Sequence, residues 1–225
     1  MSKRRAVIIE NFDQLERFKV RDERGNSKSI FRLSYIDTWV TNGTGFDHGR
    51  KFHESKERLY DVIIKFKLNM NDFDLEAGNI FVEDGYDLTV RNLTCFDFES
   101  TGKLNVKGLY ARNVKAKEIK IRDGNCLTRN ITCEKLETNE RIKVHEHIEA
   151  TELLSSLRNI EAGSILAKNL TFRDFCIATK GDILYENFTP IHIYEYKGPG
   201  GPYKGGQIGL LASVWGETKK VDYII

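Results

Sequence analysis

The chain has 225 residues, a net charge of +2, and 40% hydrophobic against 30% charged residues, which predicts a globular protein of one large domain or two small ones. Its balanced charge excludes a whole-molecule field that steers it onto nucleic acid, and no apolar stretch approaches the ~18 residues of a membrane span. After the basic start, only Ala6–Ile9 is apolar before Glu10, which is too short for a signal-peptide core. We therefore expect a cytoplasmic protein, or a virion protein if the source is viral, with neither a membrane nor a nucleic acid as its partner.

Residues 1–72 predict a small α+β cap at one end of the fold. Residues 5–10 have the composition of a strand, and Asn11–Gln14 has the side chains of a capping box that begins a short helix. The β-branched and aromatic residues of 30–41 predict a further strand, and the Gly/Asn/Asp-rich segment 41–49 predicts a loop. This flank contains no repeat, so we expect it to form a unit of its own.

The segment 55–68 allows two secondary structures. Its apolar residues recur at the spacing of one helical face: Leu59, Val62, Ile63 and Phe66. Ser55 is a suitable N-cap, so we favour a helix. The alternative is a strand that ends at 64–68.

Residues 88–177 carry a pair of apolar residues, two apart, about every five residues. The clearest run is Leu104/Val106, Leu109/Ala111, Val114/Ala116 and Ile119/Ile121. Residues i and i+2 of an extended segment point to the same face, so each pair points inward and the chain bends before the next pair. A chain that coils in this way buries its pairs only where successive coils stack. The pattern predicts a mainly β protein with a β-solenoid over about 73–188.

The number of sides follows from the distance between equivalent positions. Large apolar residues recur every 15 to 17 residues at Leu104, Ile119, Leu136, Leu153 and Leu170. With the one- and two-residue slips between pairs, this period favours a three-sided coil, and a four-sided coil is the alternative. At a period of 17, Glu118, Lys135 and Glu152 stack as a ladder of alternating charge. The same period places Lys120 beside Glu137.

The stretch YARNVKAKEIKIRDGN, residues 110–125, resembles two families of β-solenoid. Its five-residue period is similar to that of pentapeptide-repeat proteins, which form right-handed, four-sided β-helices. In those proteins a small residue lies two positions before the central leucine. Here Ala111 lies three before Val114. The slips are similar to those of bactofilin-type solenoids, which polymerise as cytoskeletal scaffolds. The resemblance covers residues 88–177 and implies a right-handed parallel β-helix.

The four cysteines predict packing roles. Cys95, Cys126 and Cys133 fall on pair positions, where a free thiol behaves as a small hydrophobe. Cys176 lies between two apolar residues of a pair and is expected to point outward. Their spacings match neither a secreted disulfide framework nor a short zinc motif.

The C-terminal segment has a different composition. All three prolines and six of the 18 glycines lie between residues 190 and 209. Strand-like pieces over 191–196 and 208–215 flank this region, which predicts a hairpin or arm over 189–225. The Gly/Lys-rich 197–206 lacks the order of a phosphate-binding loop.

Three groups of residues have the chemistry of a site, and each has a simpler explanation. His145 and His147 place two imidazoles on one strand, with Cys176 as a distant third ligand, but a solvated pair explains them. A second group, Asp72, Asp74 and Glu76, alternates like the carboxylates of polysaccharide-cleaving β-helices, but an edge strand that carries charge against mispairing explains it. The third group is His48 and His53, for which the sequence supplies no nucleophile. We expect no catalytic, cofactor or metal site.

The predicted interaction surface combines basic residues of the repeat with residues of the C-terminal segment. They are Arg112, Lys115, Lys117, Lys120 and Arg122, followed by Lys197, Tyr203, Lys204 and Trp215. Because five residues advance the chain by one side of the coil, we expect the first group to spread around the solenoid. It would then form no basic stripe along phosphates.

These features favour a non-enzymatic structural or interaction protein that binds protein partners and forms a homo-oligomer or a larger assembly. A viral or mobile-element origin fits this plan by analogy. An alternative is an inhibitor that docks onto a nucleic-acid-processing or defence enzyme of the host. A third is a carbohydrate-acting β-helix enzyme, although the short solenoid offers little groove.

Overall fold

A computed structural model describes residues 5–42, 51–122, 124–155, 160–172, 175–190, 195–198, 201–204 and 210–221. Strands account for 72% of the structure and helix for 3%. The chain folds as a parallel β-solenoid of about seven turns, which confirms the predicted fold class. In the described part, no helix is long and apolar enough to cross a membrane.

Seventeen of the strands belong to one continuous sheet, and four belong to two hairpins. In chain order the strands are β1 (Ala6–Ile9), β2 (Lys19–Arg21), β3 (Ser27–Arg32), β4 (Ser34–Asn42), β5 (Lys51–Leu59), β6 (Asp61–Ile64), β7 (Leu68–Glu76), β8 (Ile80–Val82), β9 (Leu88–Thr94), β10 (Asp97–Ser100), β11 (Lys103–Val106), β12 (Gly108–Ile121), β13 (Cys126–Thr138), β14 (Ile142–Ser155), β15 (Ile160–Phe172), β16 (Phe175–Ala178), β17 (Ile183–Pro190), β18 (Glu195–Gly198), β19 (Gly201–Lys204), β20 (Leu210–Ser213) and β21 (Thr218–Lys220).

Each complete turn has three walls. In β12, the inward pair that begins at Leu109 defines wall A, the pair at Val114 defines wall B, and the pair at Ile119 defines wall C. In the next turn these positions pair with Cys126, Ile131 and Leu136, each 17 residues later. Three pairs therefore complete a turn, as the slips in the sequence predict.

The core is a column of inward side chains from the three walls. On wall C, it contains Leu104, Ile119, Leu136, Leu153 and Leu170, all of which are buried. Burying one such side chain contributes about 1.5–3 kcal/mol. Because each pair is covered only by the turns on either side, the stability of the stack depends on its neighbours.

The N-terminal strands belong to the same sheet as the repeat. Strand β1 pairs in parallel with β6, and β6 pairs in parallel with β8, so all three extend wall B. The predicted short helix is present as α1 (Phe12–Glu16), where the Asn11 side chain accepts a hydrogen bond from the Gln14 N–H. Leu15 of this helix is buried in the core.

The helix predicted over 55–68 is wrong: the segment forms strands, as in the alternative, but β6 ends at Ile64 and residues 65–67 belong to no strand. Strands β4 and β5 form an antiparallel hairpin, and β6 follows as a wall strand. Val62 and Ile64 point inward with a period of two, and the stacking of turns outweighs the helical spacing of the wider segment. The strand predicted over 30–41 is divided between β3 and β4. Residues 41 and 42 of the predicted loop belong to β4, and its residues 43–49 lie outside the described residues.

The C-terminal segment adds strands to the stack. Strand β20 pairs in parallel with β16, and β21 pairs in parallel with β17. The stack therefore extends beyond residue 188, where the predicted solenoid ends, into the segment that was expected to form a hairpin or arm. The hairpin in this segment is formed by β18 and β19 within the glycine-rich region.

The inward position near the end of the repeat is shifted by one residue from the prediction. Cys176 and Ala178 are buried, and they pair with Ile160 and Ala162 of the preceding turn. The expected outward orientation of Cys176 is therefore wrong. A slip of one residue between Phe172 and Cys176, beyond those in the prediction, accounts for the shift.

Candidate interaction surface

The predicted basic residues lie on different sides of the solenoid. Arg112 is at the corner between walls A and B, Lys115 points outward from wall B, and Lys120 points outward from wall C, as the register of β12 shows. Each has a carboxylate partner on a neighbouring turn. The partners are Asp97 at 2.6 Å from Arg112, Glu99 at 3.3 Å from Lys115, and Glu137 beside Lys120. Such exposed pairs contribute little to the stability of the stack because water and salt screen them.

The remaining predicted residues do not join this group. Lys117 and Arg122 are exposed, and neither forms an ion pair with another described residue. Lys197 lies in β18, while Tyr203 and Lys204 lie in β19. Trp215 follows β20, and 83% of its surface is exposed.

An open groove of about 560 Å³ lies on the outside of wall A and its corner with wall B. Its floor contains Tyr110 and Leu127, which are direct neighbours on adjacent turns. Their exposed fractions are 39% and 44%, and Phe96 beside them is similarly exposed. We call this surface the corner groove. The three side chains line the same groove, and the neighbouring outward positions on wall A, Thr94 and Lys143, are polar.

The rim of the corner groove carries cationic side chains. Arg112, Arg129 and Lys180 line it. Arg112 binds Asp97 through two hydrogen bonds, and Arg129 Nε lies 2.6 Å from the Glu146 carboxylate. These arginines hold the pKa of both carboxyl groups below the usual range. At neutral pH, the rim therefore carries three cations and two carboxylates.

Sequence reasoning missed the floor of this groove. Tyr110 and Leu127 each lie between the two residues of an inward pair and therefore point outward, at positions where the repeat usually carries polar residues. They are one 17-residue turn apart. That spacing was visible in the sequence and would have identified the pair. On the same wall, the next outward positions are Lys143 and Glu161, whose charged groups are 3.1 Å apart. The apolar area ends at this ion pair.

The composition of the corner groove is that of a protein-binding surface. Tyrosine and arginine are enriched at the energetic centres of protein interfaces, and phenylalanine is enriched in interface cores. The side chains project from a wall whose backbone is held by hydrogen bonds to turns on both sides. The surface is therefore organised before a partner binds.

The histidine pair does not form a metal site with Cys176. The pairing of β13 with β14 is irregular at His145, and His147 Nδ1 lies 2.8 Å from the Ser164 hydroxyl oxygen. Cys176 points into the core. Across the described ranges, no group of three histidine, cysteine, aspartate or glutamate side chains has the arrangement of a metal site.

Two of the three predicted carboxylates of β7, Asp74 and Glu76, have partners on neighbouring strands. Asp74 accepts hydrogen bonds from Arg91 at 2.8 Å and from Asn92 at 2.8 Å. Glu76 accepts one from Arg32 at 2.6 Å. These contacts give both carboxylates a structural role, in which they connect neighbouring strands of the stack. Of the predicted acid–base pair, His48 lies outside the described residues and His53 lies in β5.

The cysteines have the environment of packing residues. Burial raises the pKa of Cys95, Cys126 and Cys133 to about 12 in each case. Burial also raises the pKa of Cys176. Since the thiolate is the nucleophile and the metal ligand, these thiols are inert near neutral pH.

Comparison with known proteins adds no further assignment: no family model, curated protein or solved structure matches the chain.

Proposed function

We propose that this chain is a non-enzymatic β-solenoid scaffold that binds protein partners at the corner groove and assembles with copies of itself. The observation that carries the proposal is the apolar floor of Tyr110 and Leu127 beneath a rim of arginines. A partner that covers this floor removes apolar surface from water at about 25 cal/mol per Å². The arginines supply the hydrogen bonds that orient it.

The architecture supports a scaffold in a second way. Neighbouring turns are joined along all three walls, so a partner bound at the corner groove is held at a fixed distance from either end of the stack. The resemblance of residues 88–177 to pentapeptide-repeat and bactofilin-type solenoids supports the same role by analogy. A non-enzymatic role agrees with the ion-paired carboxylates of β7 and the raised thiol pKa values.

A second candidate function is the inhibition of an enzyme that has an acidic docking surface. It is favoured by Arg112, whose guanidinium group is about half exposed at the rim of the corner groove. In that case, charged contacts rather than apolar contacts would contribute most of the binding free energy. The affinity would then fall strongly as the salt concentration rises.

The test is selection of a random peptide library on the full-length protein. We expect enriched peptides that combine an aromatic or aliphatic residue with carboxylates, and Leu127→Lys should weaken their binding about tenfold or more. The matched control is Leu154→Lys, because Leu154 occupies the equivalent outward position on wall C. Its binding should equal that of the unmodified chain.

Two results of this selection would contradict the proposal. The first is that no peptide is enriched. The second is that the enriched peptides bind the Leu127→Lys and Leu154→Lys variants equally well. Peptides that respond to Arg112→Glu and to salt, but not to Leu127→Lys, would favour the inhibitor instead.

A further inference from the structure

Within β1, the free edge at the N-terminal end of wall B carries none of the side chains that usually prevent strand pairing. Strand β1 pairs with β6, and no other strand among the described residues pairs with it. Its residues are Ala6-Val7-Ile8-Ile9, with neither a charge nor a proline. Exposed edges are usually blocked by charged side chains, prolines or bulges. An apolar, uncharged edge therefore indicates a surface that another strand covers.

The outer face of the same strands is also apolar. Ile8, Ile63 and Phe81 are direct neighbours across β1, β6 and β8. The exposed fraction is 48% for Ile8 and 40% for Phe81. Farther along wall B, the equivalent positions are Glu99 and Lys115. The apolar row thus ends at the free edge.

The opposite end of wall B is different. There β21 is the last strand that the structure describes, and its three residues, Thr218–Lys220, are all exposed. The two lysines protect this edge in the usual way. If β21 of one copy continued the stack onto β1 of another, Lys220 would occupy an inward position beside Ile9. Such head-to-tail stacking would bury a lysine against the core, at a high cost in free energy.

We propose that β1 pairs antiparallel with β1 of a second copy, so that two solenoids meet at their N-terminal ends. One register places the inward side chains of both copies on the same face of the joined sheet. In that register, Ile8 lies opposite Ile8 of the second copy, and Val7 lies opposite Ile9 of the second copy. The apolar row then continues across the junction as six side chains. Each uncharged edge covers the other.

The charges that flank β1 fit this arrangement. Arg5 precedes the strand and Glu10 follows it, and the Arg5 guanidinium group lies 4.8 Å from the centre of the Tyr35 ring. In the proposed register, Glu10 of the second copy lies opposite Ala6 and therefore next to Arg5. The two-fold symmetry produces this contact twice. Opposite charges at the two ends of β1 thus favour the antiparallel pairing.

This inference deepens the proposed scaffold function by naming one partner, a second copy of the chain. It depends on β1 and not on the corner groove, so the two proposals fail separately. The first measurement is the mass of the full chain in solution by light scattering after size exclusion, from about 1 to about 100 μM. We expect twice the chain mass of 25.9 kDa for the unmodified chain and the Leu127→Lys variant.

The decisive variants change the edge and a matched exposed position. Ile8→Lys should give a monomer at every concentration that still unfolds cooperatively, because Ile8 points outward and is not part of the core. Ile36→Lys, which changes an exposed isoleucine on β4, should remain a dimer. A monomeric unmodified chain, or an Ile8→Lys variant with the mass of the unmodified chain, overturns the proposal.

A cross-link tests the register. Directly opposite residues of an antiparallel pair have Cα atoms about 4.5–5.5 Å apart, within the range of a disulfide. Ile8→Cys should therefore form an intermolecular disulfide under mild oxidation, while Ile63→Cys, one strand farther from the junction on each copy, should not. Equal cross-linking of the two variants would contradict the antiparallel register.

Discussion

Asn130 lies one turn beyond Asn113 at the corner between walls A and B, and its Nδ2 group donates a hydrogen bond to Asn113 Oδ1 at 2.9 Å. Asn113 in turn donates to Asp97 Oδ1 at 2.7 Å, and Asn130 also donates to Glu146 Oε2 at 3.2 Å. The side chains thus form a ladder across successive turns. Amides suit this position because each one supplies a donor in one direction and an acceptor in the other.

Replacing Asn130 with aspartate should break this ladder. The variant loses the donor that Asn113 and Glu146 share, and it places a carboxylate against two acceptors. We expect a loss of about 1–3 kcal/mol in the free energy of unfolding, measured by urea denaturation at pH 7. Asn105→Asp on wall C, where the amide contact is long at 3.4 Å, is the control and should cost less than about 0.5 kcal/mol.

The core and the surface of one strand should respond very differently to the same substitution. Leu136 is fully buried, so Leu136→Asp places an unpaired charge in the core and should cost several kcal/mol or abolish cooperative folding. Lys135, its neighbour, points outward and lies 3.9 Å from Glu152. Lys135→Asp should therefore cost less than about 1 kcal/mol. Equal shifts in thermal melting of the two variants would contradict the assigned inward positions.

Where the repeat is regular, the sequence predicts individual contacts between side chains of neighbouring turns. The 17-residue period places Lys120 beside Glu137, and the two side chains form an ion pair. The prediction is wrong at Cys176 because an additional slip moves the inward position, and a period cannot show where an irregularity lies. The segment 55–68 was misassigned because its spacing fits a helix locally, while the stacking of β6 between β1 and β8 decides the outcome.

The corner groove was missed for another reason. The predicted surface was built mainly from charge, and Arg112, Lys115 and Lys120 have carboxylate partners on neighbouring turns. Exposed apolar residues carried the better signal, since Tyr110 and Leu127 interrupt the polar outward positions at the period of the coil. Phe96 lies at the corner before β10, where the repeat pattern makes no prediction.

Gly163 should be among the least replaceable residues of the repeat. A Cβ atom at this position would overlap the backbone carbonyl oxygen of Glu146 in the preceding turn and lie 2.8 Å from that of His145. Gly163→Ala must therefore push the turns apart, and we expect a loss of about 2 kcal/mol or more by urea denaturation. At Gly181 the nearest atom would be the Ser164 Cβ at 3.2 Å. Gly181→Ala should cost clearly less, and equal costs would exclude close approach as the cause.

The thiols should make stability sensitive to alkali but not to reductant or chelator. Burial raises the pKa of Cys95, Cys126 and Cys133 in the folded state to about 12, above the ordinary value of about 8.5. Between these values the unfolded chain releases protons that the folded chain retains, so stability falls as the pH rises. Melting temperatures should therefore decline above about pH 9, and Cys126→Ser should reduce the slope of that decline.

The same thiols should be inert in the folded protein at pH 7. Reductant and chelator should each leave the melting temperature unchanged. A drop of about 10 °C or more with either reagent would indicate a disulfide or a bound metal.

The C-terminal turn should contribute to stability and to assembly through different residues. Deleting 210–225 removes β20 and β21, which cover β16 and β17. Cys176 and Ile183, which are buried in the complete chain, then become part of an open end, and we expect a lower melting temperature. The deletion therefore cannot by itself show whether this end mediates assembly.

Trp215 allows the two effects to be separated. Because 83% of its surface is exposed, Trp215→Ala should leave the melting temperature unchanged. If the end of the stack contacts other copies, burial of this large exposed tryptophan would contribute more binding free energy than burial of a smaller side chain. We then expect species larger than a dimer in sedimentation velocity of the unmodified chain at high concentration, and their loss in Trp215→Ala. An unchanged distribution of species in that variant would show that the tryptophan takes no part in assembly, and it would leave the N-terminal edge to be tested by Ile8→Lys.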